Sequence, residues 1–368
     1  MYILLIVIIS ALSLCGAPIF IIIGALALWL FYSAGIDSSA VIIELYRLTS
    51  APTLAAIPFF TFAGYLLAES KAPERFVALY KACFGWMPGG LVIVTIIASA
   101  FFTAFTGASG VTIIALGGLL MPILLKEGYS EKFSLGLITC CGSVGLLFPP
   151  SLPIILYGLV AGVSIDQMFL AGIVPGVVLI TMLSVFGIMK NSSMNWLKMS
   201  RCKADRRGAT QAYLEGTSRS DRGGQRRRWA FFTSSIKSAA WEIPIPLIIL
   251  IGIYGGYFTA TEAAVVTVVY VLIVETLITR DLSLFKDVPR IIRESAVLVG
   301  GILIILGVAL GFTNYLVDAE IPMKLFEIVR QYITSKYIFL IILNIFLLIV
   351  GCLMDIFSAT IVVVPLIA

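Results

Sequence analysis

Residues 139–153 read TCCGSVGLLFPPSLP and interrupt an apolar region that extends from residue 133 to residue 163. Glycine allows the backbone to leave a helix, and proline removes a helical hydrogen bond and frees a carbonyl of the preceding turn. Polar backbone groups that are freed in apolar surroundings need protein or enclosed water as partners. The stretch therefore predicts a discontinuous helix rather than a simple apolar one.

The composition of the whole chain is that of a membrane protein. Its 368 residues are 60% hydrophobic and 12% charged, with a mean hydropathy of +1.07, whereas soluble proteins are about 45–50% apolar and about 25% charged. At about 20 apolar residues per span, there is room for about ten segments. We predict an all-α, polytopic transmembrane protein whose first apolar run, 2–32, is a retained span. Runs 110–125 and 133–163 are too short or too interrupted to span simply, which is typical of re-entrant hairpins.

Two features of the composition exclude most enzymes. The chain has no histidine, which excludes Ser-His-Asp and Cys-His triads, HExxH zinc sites and haem ligation by histidine. Its 6 cysteines form no CxxC pair and are interpreted as small buried hydrophobes. Asp355 is the only carboxylate in the final apolar region, so an acid and base pair is hard to assemble there. We therefore predict no catalytic residue, no cofactor and no enzymatic activity.

A basic stretch divides the chain. Of the 25 lysines and arginines, 10 lie between Lys198 and Arg228, which is typical of a cytoplasmic loop under the positive-inside rule and has none of the features of a nucleic-acid-binding domain. We predict a first membrane repeat over residues 1–190, a basic cytoplasmic linker over 191–237 and a second repeat over 238–368.

The two membrane halves share an order of features. The sequence YLLAESKAP ends at Pro73 and YLVDAEIP ends at Pro322, and each is followed by an amphipathic stretch and an apolar span. Gly107 lies 34 residues after Pro73, and Asp355 lies 33 residues after Pro322. Many secondary transporters are built from inverted repeats of this kind.

Two polar, glycine-rich islands, residues 103–112 and 139–153, carry the chemistry of the first half. Free carbonyls and Ser or Thr hydroxyls are hard oxygen ligands that suit Na⁺, and the N-termini of half-helices attract carboxylates. Neither island contains a carboxylate, so cation coordination is favoured over proton transfer. The structural alternative is close helix packing through small residues.

Six motifs, in one order along the chain, resemble the large membrane subunit of tripartite ATP-independent periplasmic (TRAP) transporters. They are IPFFTFAG (57–64), FTGAS (105–109), MP through GY (121–129), FPPSLP (148–153), AGIVPG (171–176) and YFTATEAA (257–264). The resemblance covers essentially the whole chain except the basic loop. The chain has no GxxxxGK[ST] sequence, which agrees with transport driven by an ion gradient rather than by ATP.

The resemblance implies an elevator-type fold with re-entrant hairpins and Na⁺-coupled import of an organic acid, such as a dicarboxylate or sialic acid, across the bacterial inner membrane. It also implies two partners, a small TRAP membrane subunit and a periplasmic binding protein that delivers the substrate. The implied first Na⁺ site comprises Thr106, Gly107, Ser109, Gly142, Gly145 and Pro149, with Asp355 and Ser358 in the second-repeat ion or substrate region and Ser143, Pro150 and Ser151 as substrate-cavity candidates.

The chain departs from the family pattern at three places. Ala108 replaces a serine of the first hairpin, and Ala260 replaces the proline before Thr261 and Glu262. We expect Thr259 or Thr261 to cap a helix beginning at Glu262, which gives Glu262 a structural role. The second island begins about 32 residues after Gly107, and the equivalent position in the second half lies beyond Ala368. By this arithmetic about 60 residues have no counterpart, and we expect a C-terminally truncated subunit.

Two other interpretations remain open at this point. One is a different ion-coupled carrier with inverted repeats, and the other is an inactive, truncated membrane protein.

Overall fold

The computed structural model describes residues 16–84, 89–205, 236–321, 335–354 and 356–367, together with 323, 324, 327 and 331. Every regular element in these ranges is helical. The first elements are α1 (Ile19–Ser33), α2 (Ser39–Thr49), α3 (Ala56–Glu69), α4 (Ala72–Phe84), α5 (Gly90–Thr106), α6 (Ser109–Lys126), α7 (Glu131–Cys141), α8 (Leu152–Ala161) and α9 (Ile165–Asp205). After the basic stretch follow α10 (Pro244–Tyr254), α11 (Ala260–Ile273), α12 (Asp287–Asp318), α13 (Lys336–Leu353) and α14 (Ile356–Ile367). Short 3₁₀ turns occupy Pro52–Ala55 and Val144–Leu147, and a π-helical turn, Val274–Ile278, extends α11.

Within these ranges, 5 helices are long and apolar enough to cross a membrane, or 6 if the interrupted pair Glu131–Leu147 and Leu152–Ala161 counts as one span. The prediction of an all-α, polytopic membrane protein is confirmed. The interruption at residues 142–151 lies where the glycines and prolines predicted it.

Residues 109–126 differ from the sequence interpretation. The run predicted to be too short for a span belongs to one continuous helix, α6, which passes through Pro122 and has the length and composition of a span. The interruption lies before the helix, at Gly107 and Ala108, because there the backbone adopts left-handed and extended conformations.

The chain divides into two compact units. One comprises the residues up to Pro58, Pro153–Met168 and the residues from Arg293 onward, and the other comprises Phe59–Leu152 and Phe169–Ile292. The division into repeats at residues 190 and 237 concerns sequence relationship and stays a prediction. Helix α9 continues to Asp205, so the first part of the predicted linker is helical, and residues 206–235 lie outside the described ranges.

The unit Phe59–Leu152 and Phe169–Ile292 is built around α5. This helix is apolar on all sides, which is typical of a helix surrounded by others, and most of its residues are buried. Phe76 of α4 lies 4.3 Å from Phe101 and 5.7 Å from Phe102, measured between ring centroids. These aromatic contacts fix α4 along α5. The other unit has a smaller cluster in which Ala27, Phe31 and Val41 pack against Phe312 and Tyr315.

A capping box begins α11. The backbone N–H of Glu262 donates to the hydroxyl of Thr259 at 3.3 Å, and the N–H of Thr259 donates to the carboxylate of Glu262 at 2.8 Å. The structure selects Thr259 of the two expected caps and confirms the structural role of Glu262. Ala260 at the first helical position does not prevent the cap.

Candidate ion and substrate site

The first island is the break between α5 and α6. Gly107 has φ of +64°, in the left-handed region that favours glycine, and its N–H donates to the carbonyl of Thr103 at 2.8 Å. A Cβ atom at Gly107 would collide with the side chain of Leu152. Both conformation and space therefore require glycine at this turn.

Two threonine hydroxyls meet beside this break. The hydroxyl oxygens of Thr106 and Thr112 lie 2.9 Å apart, and the Thr106 hydroxyl also donates to the carbonyl of Ala108 at 3.4 Å. Both threonines are buried. The N-terminus of α6, with half-buried Ser109 at its first position, lies next to them. The hairpin thus gathers hydroxyl and carbonyl oxygens around a helix N-terminus.

The second island packs directly against the first. Gly142 follows α7, and a Cβ there would lie 3.3 Å from the carbonyl oxygen of Ser109. Gly145 approaches α5 so closely that a Cβ would collide with the carbonyl of Ala100 and the amide of Ala104. The backbone of one island therefore lies against the backbone of the other, at the positions predicted for the first Na⁺ site.

The proline-rich end of the second island is mostly enclosed. Pro149 is half-buried, Pro150 and Ser151 are buried, and the Pro149–Pro150 peptide bond is cis. The Ser151 side chain is 0% exposed, and its hydroxyl has no hydrogen-bond partner among the described residues. Ser143 differs, because it is exposed and its hydroxyl donates to the carbonyl of Cys140 at 3.0 Å. Of the three substrate-cavity candidates, Ser151 is the buried hydroxyl with hydrogen-bonding capacity to spare.

An apolar cavity lies beside Pro149. Its volume is about 350 Å³. It is lined by Tyr80, Ile97, Ala100, Phe101, Ala104, Phe105, Phe148, Pro149, Ile173, Ile180, Pro246 and Leu250. Phe105 precedes the hydroxyl pair in the chain, so the cavity borders both islands.

The second-half residues are only partly described. Asp355 lies outside the described residues, and Ser358 is buried in α14, 3% exposed. Ser358 belongs to the other unit.

Sequence reasoning missed two polar arrangements. Thr112 belongs to the quoted first island, but nothing in the sequence shows that its hydroxyl meets that of Thr106. Arg75 contacts Glu242, Glu275 and Asp281, far along the chain. The available signal was the position of Glu242 and Glu275 within or beside apolar runs, where an ionisable residue needs a partner.

Comparison with known proteins identifies a transporter family. The family model of the DctM component of tripartite ATP-independent periplasmic transporters matches residues 3–368. The C4-dicarboxylate TRAP transporter large permease protein DctM of Rhodobacter capsulatus is 30% identical over 371 residues, which cover 97% of this chain and 78% of that protein.

Two further relatives are named for other substrates. The isethionate TRAP transporter permease protein DctMQ of Oleidesulfovibrio alaskensis is 30% identical, covering 95% of this chain and 52% of that protein. The ectoine TRAP transporter large permease protein TeaC of Halomonas elongata is 29% identical, covering 75% of this chain and 59% of that protein. These relatives are transport permeases rather than enzymes. The chain is a multi-pass membrane protein that belongs to the DctM family, the large permease component of TRAP transporters.

Proposed function

We propose that this permease imports a small organic acid, driven by a Na⁺ gradient. The relatives are named for C4-dicarboxylate, isethionate and ectoine, which are all small, polar molecules with an acidic group. The observation that carries the proposal is the close approach of the two islands at Gly107, Gly142 and Gly145. Two helix breaks that meet offer carbonyl oxygens to a cation and helix N-termini to an anion.

The proposed first Na⁺ site comprises Thr106, Gly107, Ser109, Gly142, Gly145 and Pro149. Its support is the close approach of Gly142 to the Ser109 carbonyl, which leaves little room for a Cβ, and the buried hydroxyls of Thr106 and Thr112. Hydroxyl and carbonyl oxygens are hard ligands, and uncharged ligands suit a monovalent ion that has to be released. Ala108 has no hydroxyl, unlike the serine of the family pattern, but it has the same backbone carbonyl. A ligand supplied by that carbonyl is unaffected by the replacement.

The proposed substrate cavity comprises Ser143, Pro150 and Ser151, with Asp355 and Ser358 as the second-repeat ion or substrate region. Burial of a hydroxyl without a partner costs about 1–3 kcal/mol. The orphan hydroxyl of Ser151 supports a role in binding, because a substrate oxygen would satisfy it.

The remaining parts of the proposal follow from family membership. We propose a periplasmic binding protein and a small membrane subunit as partners, an elevator movement of the transport domain, and a location in the bacterial inner membrane. The basic segment between Lys198 and Arg228 supports a cytoplasmic position for the middle of the chain.

Uptake into proteoliposomes tests the function. We expect vesicles that hold the permease and its small subunit to accumulate succinate, isethionate or ectoine only when the binding protein and an inward Na⁺ gradient are both supplied. A K⁺ gradient of the same size is the control. Uptake that needs no binding protein, or that persists without Na⁺, contradicts the proposal and favours another ion-coupled carrier. The absence of uptake under every condition favours the inactive interpretation.

Ser151→Ala tests the substrate cavity. We expect the substrate concentration that gives half-maximal uptake to rise about tenfold, which corresponds to the loss of one hydrogen bond of about 1.4 kcal/mol. The thermal stability of the ligand-free protein should stay the same or increase, because an unsatisfied hydroxyl is removed. Ser33→Ala is a matched control, since Ser33 is exposed and its hydroxyl donates to the carbonyl of Leu30 at 2.9 Å. Loss of stability with unchanged half-maximal concentration contradicts a binding role for Ser151.

A further inference from the structure

One guanidinium lies among three carboxylates in the unit Phe59–Leu152 and Phe169–Ile292. Nε of Arg75, on α4, lies 2.5 Å from Oε1 of Glu242, just before α10. Its Nη2 lies 3.1 Å from Oε2 of Glu275, in the π-helical turn after α11. Its Nη1 lies 2.5 Å from Oδ2 of Asp281, in the loop that follows. We call these four residues the Arg75 cluster.

The Arg75 cluster carries more negative than positive charge. Three ionised carboxylates and one guanidinium sum to a formal charge of −2. The side chains of Glu242 and Glu275 are both 0% exposed, and those of Asp281 and Arg75 are 9% and 16% exposed. A buried charge without compensation is strongly destabilising. Binding of one monovalent cation would reduce this formal charge from −2 to −1.

The three carboxylates are not equally compensated. Glu275 accepts a hydrogen bond from the Thr279 hydroxyl at 3.1 Å and two more from Arg75. Asp281 accepts one from Arg75. Glu242 forms a short ion pair with Nε of Arg75, but among the described residues neither of its carboxylate oxygens accepts a hydrogen bond of ordinary geometry. Glu242 is therefore the group with the strongest reason to be neutral.

The nearby hydroxyl of Tyr270 does not compensate Glu242 either. The hydroxyl of Tyr270, on α11, donates to the carbonyl of Trp241 at 2.8 Å. Burial raises the pKa of Glu242, an effect that the positive charge of Arg75 opposes and the negative charge of Asp281 reinforces. Across the described part of the chain, no group of acidic or sulfur side chains is arranged to hold a metal ion. A proton needs no set of ligands, so a single carboxylate of the Arg75 cluster can accept it.

We propose that the Arg75 cluster is a proton-binding site, with the proton on Glu242, and that this proton stabilises the contact of α4 with the segments around α10 and α11. The site is separate from the islands proposed for Na⁺ and does not depend on the transported substrate. The proton comes from water and returns to water.

The way in which the stability of the folded chain depends on pH follows from the raised pKa of Glu242. The pKa of Glu242 is higher in the folded chain than in the unfolded chain, where it has its ordinary value. The stability linked to its proton is therefore complete below the ordinary pKa of glutamate and is lost as the pH rises through the folded pKa. We expect the unfolding temperature of the purified chain to fall on the alkaline side.

Glu242→Gln tests this with the full chain in detergent. Between about pH 5 and about pH 9, we expect the alkaline decline of the unfolding temperature to be much smaller in Glu242→Gln, which is neutral at every pH. Glu74→Gln, at an exposed position of α4 next to Arg75, is the control and should decline like the unaltered chain. Equal declines in all three proteins contradict the proposal.

Infrared spectroscopy of the unaltered chain provides a measurement that does not depend on whether a variant folds. A protonated carboxylic acid has a C=O stretch well above the carboxylate bands. We expect such a band at neutral pH that disappears on alkaline titration and that is missing from Glu242→Gln while Glu74→Gln retains it. Absence of the band from the unaltered chain at neutral pH, or its persistence in Glu242→Gln, overturns the assignment.

Discussion

Gly107→Ala is expected to lower Na⁺-driven uptake by about tenfold or more. A side chain in the left-handed conformation costs about 1–2 kcal/mol, and 1.4 kcal/mol corresponds to a factor of ten. The new methyl group would also collide with Leu152. Relief of both strains shifts the backbone at Gly107 relative to Leu152, and we expect this shift to displace the carbonyls of the proposed ion site.

Gly110→Ala is the matched control for Gly107→Ala. Gly110 lies three residues further along the chain in α6, and a Cβ there would meet no atom within 4 Å apart from its chain neighbours and the nearby backbone of its own helix. We expect Gly110→Ala to keep its uptake, since alanine suits a helix better than glycine does.

A second readout separates ion binding from folding in these variants. A ligand that binds only the folded state raises the unfolding temperature, so NaCl should stabilise the unaltered chain and Gly110→Ala more than the same concentration of KCl does. Gly107→Ala should unfold at the same temperature in both salts. If Gly107→Ala retains the Na⁺-specific increase and normal uptake, the first island is not the ion site.

Arg75→Met should have the largest effect on stability. Removal of one partner from a buried ion pair costs about 3–5 kcal/mol, and here the removal leaves three carboxylates facing one another. Methionine retains most of the apolar volume of the arginine side chain, so the loss comes mainly from the charge. The measurement is the free energy of unfolding of the purified chain in detergent.

Arg47→Met is the control for this loss. Arg47 lies 3.3 Å from Glu44, but its side chain is 77% exposed, and exposed pairs contribute about 0–1 kcal/mol. Comparable losses in the two variants would show that the Arg75 cluster contributes no more than a surface pair.

The positions of the helix breaks could be predicted from the sequence because glycine and proline act locally. The glycines and prolines of residues 139–153 marked the break between α7 and α8, and Gly107 marked the end of α5. The cap of α11 is also local, and the sequence limited it to Thr259 or Thr261, of which the structure uses Thr259. The interpretation of run 110–125 as too short or interrupted needed correction, since it belongs to one continuous helix, α6, that accommodates Pro122.

The polar contacts between distant segments could not be predicted in this way. Arg75 is separated from Glu275 by 200 residues and from Asp281 by 206, and no local pattern records such a pairing. The burial of the Ser151 hydroxyl without a partner could not be predicted from the sequence either, because serine next to proline is also common in exposed turns. A backbone carbonyl can bind an ion whichever side chain the residue has, so the sequence does not identify such ligands. The Na⁺ site assigned to the two islands therefore stays a prediction.

The long separation between Arg75 and its partners also has a consequence for biosynthesis. Chains grow at about 5–20 residues per second, so Arg75 waits about 10 to 40 s before Glu275 and Asp281 have been made. During that interval α4 carries a positive charge that has none of these carboxylates to pair with. An amphipathic helix of this kind is suited to the membrane surface, where lipid headgroups can neutralise the arginine. Translation of the second half then ends this period, because it supplies the three acidic residues that pair with Arg75 of α4.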